Sequence, residues 1–87
     1  MDRISVTRPT RQQVAEAGTW PIWTCGVSTF DWHYDEMETC YVLEGRVTIT
    51  ASQQSVSFGP GDWVVFPQGM DCVWKVSAPV KKHYKFG

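Results

Sequence analysis

Apolar and polar residues alternate along most of this chain, the pattern of strands with one face buried. Residues 46–51 (RVTITA) show it best: Val47, Ile49 and Ala51 fall on one face, Arg46, Thr48 and Thr50 on the other. Residues 2–8 (DRISVTR) set Ile4 and Val6 between polar neighbours, and Pro9 ends that strand. Thr10 then caps a short helix over residues 11–17, with Gly18 as its stop. From Trp20 onward the texture is β-branched and aromatic. Residues 22–34 read as strand with a bend at Gly26, and residues 38–43 (ETCYVL) as a strand turned by Glu44 and Gly45. Residues 55–58 and 63–66 are short strands, separated by the Gly59-Pro60-Gly61-Asp62 turn. Residues 71–77 form the next strand, Pro79 breaks it, and residues 80–86 form the last. Eight or nine short strands with turns every eight to twelve residues predict an all-β sandwich or barrel carrying one short N-terminal helix.

The chain has 87 residues, of which 43% are apolar and 20% charged, so it is expected to be one globular domain. Eight basic against nine acidic side chains argue against a nucleic-acid binder, which carries a basic excess. No apolar run reaches the ~18 residues of a membrane span, and none of signal-peptide length follows Met1. The three cysteines, Cys25, Cys40 and Cys72, are odd in number and sparse, which predicts reduced thiols in a cytoplasmic protein. Asp31, Asp35, Glu36, Glu38 and Glu44 crowd one stretch, whereas every lysine lies at Lys75, Lys81, Lys82 or Lys85. The acids read either as solvated loop tips or as groups gathered around a cation, since unscreened like charges repel.

Two stretches resemble the paired motifs of the cupin superfamily. Glu38 stands seven residues before Gly45, as in the first motif. Gly61, Pro67 and Gly69 keep the frame of the second, and Cys72 takes the place of its histidine. The run WPIWTCGVSTFDWHYDEMETCYVLEG is more specifically similar to small single-domain cupins related to the cupin domain of ureidoglycine aminohydrolase. The resemblance covers about residues 20–87 and implies a cupin jelly-roll barrel there, behind an N-terminal strand and helix over 1–19. It also implies a metal held by side chains of both motifs. In one register the four ligand positions fall on Asp31, His33, Glu38 and Cys72; in the other they fall on Trp32, Tyr34, Glu38 and Cys72. Side chains alternate along a strand, so either Asp31 and His33 or Trp32 and Tyr34 face the interior.

Glu38 alternates with Cys40 and Val42, and Cys72 with Trp74, so both are expected to point inward, across one cavity with Trp74 in its wall. A buried carboxylate needs a partner. Two readings follow. In the first, Glu38 with His33 or Cys72 holds Mn, Fe, Ni or Zn, and Trp32, Tyr34, Phe66 and Trp74 wall a pocket where a small polar metabolite is hydrolysed or isomerised. In the second, the cupin is metal-free and binds a small ligand or a protein partner without catalysis. In both, an uncovered apolar face predicts a homodimer, and His83, among lysines, is expected at the surface.

Overall fold

The computed structural model describes residues 3–87, so Asp2, placed by the sequence at the head of the first strand, lies outside the described residues. The elements run β1 (Ser5–Thr7), α1 (Arg11–Ala17), β2 (Ile22–Cys25), β3 (Ser28–His33), β4 (Glu38–Ala51), β5 (Gln54–Phe58), β6 (Trp63–Phe66) and β7 (Asp71–Phe86). All pairings are antiparallel. The fold is mostly β with one short helix among the described residues, an antiparallel sheet consistent with the expected jelly roll.

The helix forms where Thr10 can close its first turn. The Gln13 amide N–H donates to Thr10 Oγ1 at 3.1 Å, and the Thr10 N–H donates to Gln13 Oε1 at 2.9 Å. This reciprocal pair satisfies two N–H groups that a helix start leaves without partners. Ala17 is fully buried at the other end.

The two long strands organise the rest. The first part of β4 pairs with β6 and with the last part of β7, while its second part pairs with β5 and with the first part of β7. β2 and β3 flank β7 in succession. The sheet therefore folds into two layers, β1-β6-β4-β7-β2 and β5-β4-β7-β3, and their inner faces share one core. Phe58 meets Phe66 at 6.2 Å between ring centroids, and Phe66 meets Trp74 at 5.6 Å. Cys40, Val42, Val47, Ile49, Val64 and Val76 fill the space between the layers.

The corner where both strands change layer corrects the expected strand count. Glu44-Gly45 does not end a strand and Pro79 does not break one: β4 and β7 run through as single irregular strands, so the described residues form seven rather than eight or nine. The register slips repeatedly between Val42 and Val47. Pro79, which has no N–H to give, sits opposite this bulged stretch and takes no place in the register of either neighbour. Gly45 has φ +104°, and a Cβ there would lie 2.5 Å from the Pro79 carbonyl oxygen and 2.6 Å from Val80 Cα. Only glycine allows both the dihedral and the contact. Gly61 and Gly69, the motif glycines, also have positive φ. No helix among the described residues is long and apolar enough to cross a membrane.

Candidate functional site

Alternation on β3 puts Phe30, Trp32 and then Tyr34 toward the interior, and Asp31 and His33 outward. Tyr34 is 1% exposed, with its N–H bound to the Met70 carbonyl and its own carbonyl accepting from Gly69. Of the two registers open in the sequence, the aromatic one is realised, because the rings bury more apolar surface than an aspartate and a histidine. His33 is half exposed on the outer face, with Nδ1 2.7 Å from Asp71 Oδ1 and Nε2 3.6 Å from Asp35 Oδ1.

Inside, a cavity of about 250 Å³ opens at one end of the barrel. Its deep part is formed by Tyr34, Glu38, Trp74 and Lys82, all buried; Trp23, Phe30 and Tyr84 form the flanks, and the half-exposed Trp32 and Phe86 the rim. Glu38 begins β4, between Phe66 and Phe86 on the neighbouring strands. Lys82 lies on β7 between Val42 and Trp23. Lys82 Nζ donates to Glu38 Oε2 at 2.7 Å, and both side chains are about 4% exposed. The ammonium also stands over ring faces, 4.5 Å from the Trp74 centroid and 4.9 Å from that of Trp23. Each such contact favours the cation, and more so away from water.

Two further polar groups line the deep part of the cavity, the Trp74 indole N–H, a donor, and the Tyr34 phenol, which can donate and accept. The Trp74 indole N–H is buried without an acceptor. Burial, and secondly the Glu38 charge, push the Tyr34 phenol well above its ordinary range, so it keeps its proton. Burial likewise raises Cys40 to about 12, with Lys82 opposing and Glu38 adding to the rise. Cys72 is pushed up to about 11, by burial first and then by Asp71 and Glu38. Neither thiol is a ready thiolate at neutral pH.

The residues singled out in the sequence are thus divided. Trp32, Tyr34, Glu38 and Trp74 meet in the cavity. Phe66 stands behind it, stacked on Tyr34 at 4.8 Å. Cys72 is buried yet borders a different, shallower groove with Asp31, His33 and Asp71 rather than facing Glu38 across the cavity. His33, Glu38 and Cys72 do not converge, and among the described residues no three His, Cys, Asp or Glu side chains do. The resemblance implied a metal, but the residues do not fit one: the inward positions at 32 and 34 carry rings, and an ammonium already sits on the Glu38 carboxylate. His83 is also corrected. It is half-buried, with Nδ1 3.0 Å from the Trp20 carbonyl oxygen.

Lys82 is the residue the sequence reading missed. A signal existed: Cys72, Trp74, Val76, Val80 and Lys82 share one parity on an unbroken β7. Ending the strand at Pro79 severed that continuity and left Lys82 among the surface lysines.

The EutQ-like cupin domain matches residues 13–84. Among solved structures, a DUF861 family protein from Thermotoga maritima is 43% identical, over 98% of this chain and 100% of that one, with a TM-score of 0.93. The EutQ protein of Clostridium difficile is 25% identical with a TM-score of 0.69, over 75% of this chain and 52% of that one, so the chain spans about half of it. A cupin-2 domain containing protein from Shewanella frigidimarina, 22% identical over 72% of this chain and 63% of that one with a TM-score of 0.61, shares the fold alone. No curated protein matches the chain.

Proposed function

The chain belongs to the EutQ-like cupin family, and from that premise we propose that it binds a small organic molecule in the barrel cavity without a divalent metal. The observation that carries this reading is the buried Glu38–Lys82 pair on the cavity wall. In a metal-binding cupin the glutamate of the first motif would meet a cation; here it meets the lysine ammonium. The unpartnered Trp74 N–H adds a donor that a ligand oxygen would satisfy. Apolar walls with a few polar groups are the usual make-up of a small-molecule site. The narrower likeness to ureidoglycine aminohydrolase agrees with a nitrogen-bearing ligand such as an amide, but that enzyme's reaction is not carried over.

Three free cysteines accord with a reducing compartment, and the exposed Ile22, Val27 and Val73 on or beside β2, β3 and β7 accord with a homodimer. A monomer by light scattering at micromolar concentration would remove the second point.

The test is a thermal-shift series with Mn, Fe, Ni and Zn salts beside small neutral amides and ketones, read together with tryptophan fluorescence. The organic probes are expected to raise the melting temperature and change the emission of the cavity tryptophans, and the metal ions to do neither. Stabilisation by a metal ion that disappears in Glu38→Gln would reverse the reading.

A further inference from the structure

The cavity's inventory narrows its ligand further, on the premise that the cavity is the binding site. Lys82 Nζ has one hydrogen-bond acceptor, Glu38 Oε2, and otherwise lies against the rings of Trp74 and Trp23. Trp74 Nε1 has no acceptor, and the Tyr34 phenol beside Glu38 keeps its proton. A ligand oxygen would give the buried indole N–H the acceptor it lacks. The charges of Glu38 and Lys82 already cancel, so a carboxylate would leave a net negative charge in a poorly solvated site. A neutral carbonyl supplies the oxygen at no such cost.

A carbonyl placed there meets a primary amine whose partner can take its proton. We propose that Lys82 captures a small neutral aldehyde or ketone as an imine, with Glu38 as the proton carrier. Lys82 passes one proton to Glu38, and the freed nitrogen lone pair attacks the carbonyl carbon. The C=O π pair moves to the oxygen, which takes a second proton from the nitrogen and gives a carbinolamine. Glu38 returns its proton to that hydroxyl, the C–O bond breaks, water leaves, and the nitrogen lone pair closes the C=N bond. Nζ has lost two hydrogens to the water, and Glu38 ends as the carboxylate it began as. The product iminium carries the same single positive charge as the ammonium, so the rings and Glu38 stabilise both ends of the step. Buried lysines in apolar pockets are the usual imine formers.

The experiment incubates the full chain with propanal and cyanoborohydride at neutral pH and maps reduced adducts by peptide mass spectrometry. The expected result is preferential modification of Lys82, which is 3% exposed, over Lys75, Lys81 and Lys85, slowed by added propanamide, which fills the cavity but forms no imine. In Glu38→Gln, checked for folding by circular dichroism, Lys82 modification should slow about 100-fold, as loss of a general base does. Adducts confined to the other lysines would overturn the proposal whether or not the variant folds. If propanamide still alters the tryptophan emission in that case, imine formation fails and the binding cavity stands; if it does not, both fail.

Discussion

The barrel carries two acid–base constellations of similar chemistry in opposite surroundings. Glu38 and Lys82 meet at 2.7 Å with both side chains about 4% exposed, whereas His33 meets Asp71 at the same 2.7 Å with side chains 51% and 85% exposed. The distance is shared, but the energetics are not. At the surface, water and salt screen the charges, and the side-chain entropy of holding the pair offsets most of the attraction. In the interior neither charge has solvent to return to, so removing one strands the other. A motif position, the feature that made His33 a candidate ligand in the sequence, is therefore a weak guide to function, and burial of a charge a stronger one.

Removing one member of the buried pair should give the largest effect. Lys82→Ala leaves a carboxylate among aromatic rings, and Glu38→Ala leaves an ammonium; each is expected to cost about 3–5 kcal/mol in urea unfolding. Replacing both with apolar residues of similar volume, Glu38→Leu with Lys82→Met, should restore most of that loss, because the desolvation cost of both ions goes with them. The double variant should also lose propanal capture. A double variant as unstable as the worse single one would mean that the pair is needed to shape the cavity rather than to satisfy its own charges.

A second way to sharpen the comparison is alkaline pH. Cys40 has a folded-state pKa of about 12 against 9.0 for the free thiol, and Cys72 about 11. Between pH 9 and these values the unfolded chain gives up protons that the folded chain holds. The stabilisation is thus whole below pH 9 and is lost as pH rises toward 11–12. Each group contributes a slope of up to about 1.4 kcal/mol per pH unit. In Cys40→Ala the decline above pH 9 should be shallower by one proton, whatever the variant's stability at pH 7. Equal slopes by urea titration at pH 8, 9 and 10 would show that the Cys40 thiol ionises as easily folded as unfolded.

These consequences were only partly visible in the residues. The helix was legible to its ends because Thr10 can cap it and Gly18 can stop it, and the strands because their faces alternate. Glu38 was legible as an inward carboxylate by its parity with Cys40 and Val42. What hid its partner was local grammar. Proline ordinarily ends a strand and glycine ordinarily makes a turn, but Gly45 and Pro79 face each other at one bulged corner, and each tolerates the other's irregularity. That pairing is between residues 34 positions apart, and nothing local in the sequence announces it. Once β7 is read as continuous, Lys82 falls on the inner face and Glu38 has its partner.

The smallest expected effect lies at the outer constellation. His33→Ala removes both of its contacts, with Asp71 and with Asp35 at 3.6 Å, yet leaves each carboxylate solvated. The expected loss is below about 1 kcal/mol at low salt. Where the imidazole carries its second proton, the loss should shrink further in 1 M salt, where the screening length falls to about 3 Å, about the separation of the two groups. The buried pair has no comparable salt dependence, since ions do not enter its surroundings. Measuring His33→Ala and Lys82→Ala side by side at low and high salt isolates this difference without requiring any ligand. The His33 loss should fade with salt while the Lys82 loss persists. Because His33 faces outward, His33→Ala should also leave propanal capture by Lys82 unchanged. A His33 variant as costly as Lys82→Ala, or one that slows capture, would place the outer cluster in the working site after all and would remove burial as the criterion that separates the two.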